Sequence, residues 1–502
     1  MSGLIQLEFA NYKLLDYEKE FAEREVVRLF KSPIIGRDDK KVSVSVDNID
    51  PDQIVPIANR LTYFHKATLA DTTITLKQAD RESNYGVVKT KRQATRFGAH
   101  GLHEYKGKFN PQIASTISNL LDLDTTDHIV DPFCGSGTTL LEAQAKGIPS
   151  TGFDINPFAI KVANAKLNFS RFSSNTFNGY VDLIEKKMLV GSKSGDNVCD
   201  HPNFSYLENW FDNEKLAKII HIYNTIKLVP DEKYADFFFC LASNLIRDYS
   251  KQEPLDLRIR RRKSPYPNSD VDAVFSERMQ YYANLLEATP VQNYDAESRA
   301  ILSDINLYNF SSTEKFTAAI TSPPYASALP YIDTQRLSLA WLNLIRSTEI
   351  KDLEGNLIGS REANKAAQKA ILNSMMLNEA NIPDELHGLC LTMQRSLNDN
   401  DGFRRKASPL LLYRYFWQMK EMFLVMSKCT SRDAHFALVV GHNHTTLGGR
   451  RFDLDTPDYL AQIAAEAGWK MIENTGLQTY QRFGLHRSNS GTKENLVLLG
   501  RT

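Results

Sequence analysis

The sequence predicts a doubly wound α/β sheet interrupted by helical insertions, with a separate α/β domain at the N-terminus. Three observations predict it. From Gln112 onward, short apolar runs such as "DHIVDPF" and "STGFDI" alternate with helically spaced text. Between the first such strand and the next helix stand two glycines, Gly135 and Gly137. After residue 298 the alternation resumes with "RAILSDINLYNF" and "KFTAAITSPPY". Strand, glycine loop, helix, strand, helix is the opening of a doubly wound parallel sheet.

The chain has 502 residues, too many for one hydrophobic core, so two or three lobes are expected. Its 42% hydrophobic and 24% charged residues are ordinary for a globular protein. No apolar run approaches membrane-spanning length, and "MSGLIQLEFANYKLL" lacks the pattern of a secretory signal. The five cysteines (Cys134, Cys199, Cys240, Cys390, Cys429) form no CxxC pair. That argues against a zinc site or a disulfide framework and suits a reducing cytoplasm. A net charge of zero weighs mildly against a nucleic-acid partner, yet "RIRRRK" (Arg258 to Lys263) is a dense local cluster.

The elements follow in order. Residues 1–95 mix a helical stretch, "DYEKEFAEREVVRLF", with an alternating one, "KKVSVSVDNI", and form the N-terminal α/β domain. The basic, aromatic segment Lys89 to Gln112 reads as a linker. Residues 96–167 form the first part of the core: helix "PQIASTISNLLDL", strand "DHIVDPF", helix "GTTLLEAQAKG" closed by Gly147, strand "STGFDI" and helix "PFAIKVANAKLNF". Residues 168–297 read as mainly helical and hold the basic run, so they are the candidate recognition insertion. Residues 298–502 complete the core with "HFALVVGHN", "YLAQIAAEAGWKMIE" and "ENLVLLG", around a second helical insertion at about 345–410.

The chemistry lies at strand ends. The turn after Asp131 is tight enough for a ligand to approach the backbone, and Asp154 ends the next strand 23 residues later. An acid at that distance takes ribose hydroxyls, so loop and acid together point to a nucleoside cofactor. No lysine follows Gly137 as a P-loop needs, and the GxGxxG spacing is absent. Asp304 ends a third strand, where it can accept from an adenine amino group. A lone aspartate there is ordinarily a turn residue, and a lone Pro-Pro an ordinary turn. The order of these segments gives both a ligand-facing reading.

"DPFCGSGTT", "GFDINP", "ILSD" and "TSPPY", in this order, resemble the S-adenosylmethionine-dependent amino-methyltransferases of nucleic acids. "TSPPY" is similar to the catalytic motif of the DNA cytosine-N4 enzymes. The adenine-N6 enzymes usually carry Asp or Asn where Ser322 stands. "HEYKGKFNPQIA" resembles the segment that packs against the methionine end of the cofactor. The resemblance implies a Rossmann-like class I methyltransferase sheet with S-adenosylmethionine bound by Asp131, Phe133, Gly135, Gly137, Thr138, Asp154, Asp304 and Phe109. His103, Tyr105, Lys106 and Lys108 are candidates for the cofactor carboxylate or a phosphate.

It also implies catalysis by Ser322, Pro323, Pro324 and Tyr325. The lone pair of an exocyclic amine is delocalised into its ring, and acceptors on the two N–H bonds draw it free. Ser322 Oγ and the Pro323 carbonyl are those acceptors, Pro324 holds the bend, and Tyr325 stacks on a base that has left its duplex. The partner implied is duplex DNA with a flipped target base, in a restriction–modification or phage-defence setting with a cognate nuclease. Neither metal nor membrane is expected. Arg258, Arg260, Arg261, Arg262 and Lys263 are the candidate DNA contacts. "GFRRK", "GGRR" and "RFGLHR" are weaker ones, and "HNH" at His442 to His444 lacks the second half of a nuclease site. The rivals are adenine-N6 methylation of DNA, guanine-N2 methylation of tRNA, whose enzymes usually read Asp-Pro-Pro-Tyr, and a non-catalytic cofactor-binding subunit.

Overall fold

The computed structural model describes residues 3–83, 93–191, 201–288, 296–311, 315–326, 331–478 and 493–502. The N-terminal lobe runs β1 (Leu4–Phe9), α1 (Asp16–Phe30), β2 (Ile34–Arg37), β3 (Lys41–Ser45), α2 (Pro51–Ala58), β4 (Phe64–Leu69), β5 (Thr72–Thr75) and α3 (Lys77–Ser83). Its strands make an antiparallel sheet in the order β2-β3-β1-β4-β5. Alternation sends Ile5, Leu7, Val42 and Val44 to one face, where α1 lays down Phe21, Ala22, Val26 and Leu29.

The central sheet is built from β6 (Ile129–Asp131), β7 (Ser150–Asp154), β8 (Ser298–Leu302), β9 (Phe316–Thr321), β10 (Thr430–Gly441), β13 (Trp469–Gln478) and β14 (Lys493–Arg501). A small hairpin, β11 (Asn443–Leu447) and β12 (Arg450–Leu454), follows β10. The seven strands lie in the order β13-β14-β10-β9-β6-β7-β8. All neighbours from β8 to β10 are parallel, and β14 runs antiparallel to both of its neighbours. The chain leaves β6 toward β7 and β8, then returns on the other side through β9 and β10. That reversal opens a crevice at the carboxyl ends of β6, β7 and β9.

Helices α4 (Pro111–Leu120), α5 (Thr138–Ala145) and α6 (Pro157–Phe169) flank this sheet. The expected first insertion holds α7 (Ser174–Gly191), α8 (Phe204–Leu207), α9 (Asn213–Ile226), α10 (Glu232–Ile246) and α11 (Val271–Ala288). They close around stacked and edge-on rings of Phe169, Phe172, Phe237 and Tyr282, with the Trp341 ring nearby. After β9 come α12 (Tyr331–Trp341), α13 (Ile350–Asn356), α14 (Lys365–Leu377), α15 (Asp384–Arg395), α16 (Phe403–Cys429) and, after β12, α17 (Thr456–Glu466).

The N-terminal sheet is a sheet of its own, but its core is shared. One buried cluster joins Phe21 and Val44 to Ile117 of α4 and to Ala318, Ile320 and Val439 of the central sheet. Glu25, fully buried, accepts from Thr62 N (2.9 Å), Thr62 Oγ1 (2.7 Å) and Asn119 Nδ2 (3.0 Å) across the seam. Arg24 forks onto both oxygens of Glu473 at 2.7 and 2.8 Å. No helix among the described residues is long and apolar enough to cross a membrane.

Candidate active site

The crevice is organised from below. Asp131, 1% exposed, takes two hydrogen bonds on Oδ1, from Phe133 N (3.0 Å) and from Thr321 Oγ1 (2.6 Å). It thereby ties the end of β6 to the end of β9, and burial pushes its carboxyl up to about 6. It lies beneath the cavity and supports the loop that lines it. The loop turns on Gly135 (φ +49°) and Gly137 (φ +79°). A Cβ at Gly137 would stand 3.0 Å from Ala163 Cβ, so α6 packs directly on the turn. Thr138 is buried as the first residue of α5. Lys166, which the sequence reading did not single out, sits under the loop, 1% exposed, and donates to the Ser136 carbonyl at 3.1 Å. Burial pushes its ammonium down to about 7.

The cavity itself is lined by Phe133, Gly135, Asp154, Asp304, Ser322 and Pro324, with Tyr105, Lys106 and Gly107 across from them. Asp154 accepts from Gly135 N (3.0 Å) and Asn156 N (2.8 Å), so one carboxylate braces both the glycine loop and the start of α6. Enclosure pushes it up to about 6. Ser303 N donates to the Asp154 carbonyl at 3.0 Å, which sets Asp304 beside it, and Asp304 Oδ1 accepts from Asn306 N at 2.9 Å.

Ser322 Oγ donates to the Val439 carbonyl at 3.0 Å. A hydroxyl has one proton, so its remaining capacity here is lone pairs. The segment 322–325 is held tightly. A Cβ at Gly359 would come within 2.4 Å of the Tyr325 carbonyl oxygen, and one at Gly441 within 2.5 Å of Tyr325 Cε1. Tyr325 Oη donates to Glu494 Oε1 at 2.8 Å. Glu494 was not foreseen, because 169 residues separate the pair.

Residues 102–198 match the RMKL-like methyltransferase domain (UPF0020). The chain is 26% identical over 283 residues to the Type II methyltransferase M.MvaI of Kocuria varians, a match covering 52% of this chain and 62% of that protein. It is 47% identical over 68 residues to the Type II methyltransferase M.MjaII of Methanocaldococcus jannaschii, over 14% of this chain and 13% of that protein. The chain is similar in sequence to Type II methyltransferases. A shorter match, 40% identical over 52 residues, joins it to the tRNA (guanine(10)-N2)-dimethyltransferase of Methanothermobacter thermautotrophicus, covering 10% of this chain and 16% of that one. The chain thus spans less than two thirds of the length of each of these three relatives.

The fold does not bring every expected residue to one cavity. Phe109 lines a neighbouring cavity with Lys108, Gln478 and Glu494, on the far side of the Tyr105–Gly107 turn. Lys108 is half-buried and donates to the Thr95 carbonyl at 2.9 Å. His103 meets Ser243 Oγ at 3.1 Å, and burial pushes its imidazole down to about 3, so it is neutral. His442 pairs with Asn495 Oδ1 at 2.9 Å. Among the described residues no group of three or more His, Cys, Asp or Glu could hold a metal ion.

The basic run divides. Arg262 donates to the carbonyls of Ser250 (2.8 Å), Asp248 (2.6 Å) and Pro265 (2.9 Å), and Arg261 donates to Asn209 O (2.6 Å) while covering the Trp210 ring. Arg262 serves the fold of its own loop, and Arg261 ties that loop to residues 209–210, about 50 residues earlier in the chain. Lys263 is exposed, and its backbone N–H bonds Glu253. Arg258 and Arg260 line a second cavity beside the first. Cys199, Arg482, Arg487 and residues 89–92 lie outside the described residues.

Proposed function

We propose that this methyltransferase moves a methyl group from S-adenosylmethionine to an exocyclic base amine in DNA, cytosine N4 within a specific sequence, in a restriction–modification or defence setting with a cognate nuclease, in the cytoplasm. The observation that carries the reading is Ser322: its proton goes to Val439, so it offers an acceptor to the cavity that Asp154 and Asp304 also line.

The cavity fits the cofactor. The cradle at Gly135 keeps free the space that a Cβ would fill, 3.4 Å from Tyr105. Two carboxylates stand ready, Asp154 for ribose hydroxyls and Asp304 for an adenine amino group. Tyr105 and Lys106 close the opposite wall. S-adenosylmethionine supplies an electrophilic methyl carbon on a sulfonium.

This chain's residues prepare the nucleophile. Ser322 Oγ and the Pro323 carbonyl accept from the two amine N–H bonds and localise the nitrogen lone pair. The amine that took the methyl group would carry a positive charge until it released a proton to water, and the two acceptors would hold it in place meanwhile. Glu494, through Tyr325, holds the ring against which the flipped base stacks. The work is positioning and electrostatics.

Nucleoside mass spectrometry tests the reading. The chain is expressed in cells free of DNA methylation, and DNA and tRNA are digested separately. N4-methylcytosine in DNA that disappears with Ser322→Ala supports it. N6-methyladenine would change the base assigned. Methylguanine in tRNA with unmodified DNA would favour the second reading, which rests on the 52-residue match to a tRNA dimethyltransferase.

A further inference from the structure

The second cavity adjoins the first, because Leu357 lines both. Three stretches of chain that are distant in sequence supply its cations. Arg258 and Arg260 come from the first insertion, Arg336 and Lys351 from α12 and α13, and Arg361 and Arg404 from the second insertion and the start of α16. Against these six stand Asp333, Glu354 and Glu362 in the lining, and Asp256 beside it, whose buried carboxylate meets Arg260 Nε at 3.0 Å. Burial together with Asp333 and Glu362 pushes the Glu354 carboxyl up to about 7, which leaves it only partly charged at neutral pH. The chain as a whole has no net charge, so this excess is a local feature.

Phe403 stands at the same rim. It is the first residue of α16, it is 81% exposed, and the Arg404 guanidinium lies 5.5 Å from its ring centre. An exposed ring beside an arginine at the rim of a basic cavity is what a nucleic-acid groove presents to bases and phosphates.

Resting on the function proposed above, we propose that this cavity seats the backbone of the DNA strand bearing the target base, and that Phe403 enters the duplex to fill the space that base leaves. Extruding a base costs stacking, and an apolar wedge recovers part of it. The cations hold the flanking phosphates while the base passes Leu357 into the crevice. Of the five basic residues in "RIRRRK", this assigns the phosphate role to Arg258 and Arg260 alone.

Two measurements on the full chain test it. The first is duplex binding against salt, with sheared unmethylated genomic DNA as probe. Replacing Arg258, Arg260 and Arg404 together by Gln should reduce the slope of log K against log salt by about 2.7, roughly 0.9 per lost phosphate contact. The second compares kcat/KM on a duplex carrying the mapped site with that on the same duplex lacking the base opposite the target. Phe403→Ala should lower the first at least tenfold and the second hardly at all, and Phe403→Trp should restore the duplex rate. An unchanged slope, or equal losses on both duplexes, would overturn the proposal while the unaltered chain still methylates DNA. A slope change with tRNA and none with duplex DNA would overturn it in favour of an RNA surface. Failure of the unaltered chain to methylate any DNA would defeat the parent reading instead.

Discussion

Replacing Ser322 by Ala removes one atom with two partners. In the free protein Oγ donates to the Val439 carbonyl at 3.0 Å, and in the reaction it accepts from the amine. Losing the first costs about 1 kcal/mol of stability, the net value of one neutral hydrogen bond, and in a chain this long that lowers Tm by less than about 2 °C. Losing the second acts only where charge develops on nitrogen. Removing one preorganised polar group from such a site costs about 2.7–4 kcal/mol, or 10²- to 10³-fold in kcat. The assay is single-turnover methyl transfer to the mapped duplex, with cofactor Kd measured alongside by calorimetry. The expected result is a kcat loss in that range with cofactor Kd within about twofold of the parent. Ser322→Cys keeps a weak S–H donor for Val439 and a weak acceptor for the amine, and should fall between the two. A loss in kcat under about tenfold would refute the acceptor role. A parallel loss of cofactor affinity would show that Ser322 shapes the cofactor cavity instead.

Further outcomes follow from the same geometry. Gly137→Ala forces φ +79° on a residue with a Cβ and sets that Cβ 3.0 Å from Ala163 Cβ, so urea unfolding should show a loss of about 1–3 kcal/mol, with weaker cofactor binding. Asp154 must be ionised to accept ribose hydroxyls, and its carboxyl is raised to about 6. Cofactor affinity should therefore hold above that pH and fall up to about tenfold per unit below it, and titration calorimetry of Asp154→Asn should show a weak, flat profile. Arg81 forks onto Glu142 of α5, 2% exposed, at 2.6 and 3.0 Å, and His100 meets the same carboxylate at 2.7 Å. Arg81→Ala leaves that carboxylate buried and should cost about 3 kcal/mol, more than Glu142→Gln, as read by denaturant midpoints. The Glu142 carboxyl is held well below its usual range by Arg81 and His100, despite the burial that opposes this. The stability it contributes is present at neutral pH and is lost as pH falls below its unfolded value near 4.5.

Signals carried by neighbouring residues were legible in the sequence. Alternation beyond Gln112 announced a doubly wound sheet, and the central sheet has that topology. Gly135, Asp154, Asp304, Ser322 and Pro324 were each visible at strand ends and share one cavity, whereas Asp131, Gly137, Thr138, Phe109, Pro323 and Tyr325 do not line it. What was not legible depends on pairs far apart in the chain. Nothing near Glu25 announces Asn119, 94 residues away, although that bond helps to join the N-terminal sheet to the core. Lys166 looked like any helix lysine, and only the fold puts it under Ser136. Gly152 read as a plain strand residue, yet a Cβ there would lie 2.5 Å from Cys134 Cβ. The loop therefore depends on a third glycine, which belongs to the next strand.

The basic run shows why counting charges is a poor guide to partners. Five cations in six positions form one signal in the text, but an arginine's five donors can be consumed by carbonyls of its own loop. Arg262 donates to Ser250, Asp248 and Pro265, and Arg261 is anchored to Asn209 and the Trp210 ring. Replacing either should disturb the loop and shift thermal stability. Replacing Arg258, which faces the second cavity, should leave Tm in place and change affinity for a polyanion, whereas replacing Arg260 should change affinity and also lower Tm, because it unpairs the buried Asp256 that Arg260 meets at 3.0 Å. A thermal-shift series on the four single Gln variants, set beside duplex binding at two salt concentrations, separates the pairs. If all four lowered affinity equally with no change in Tm, carbonyl capture would not be what divides the run.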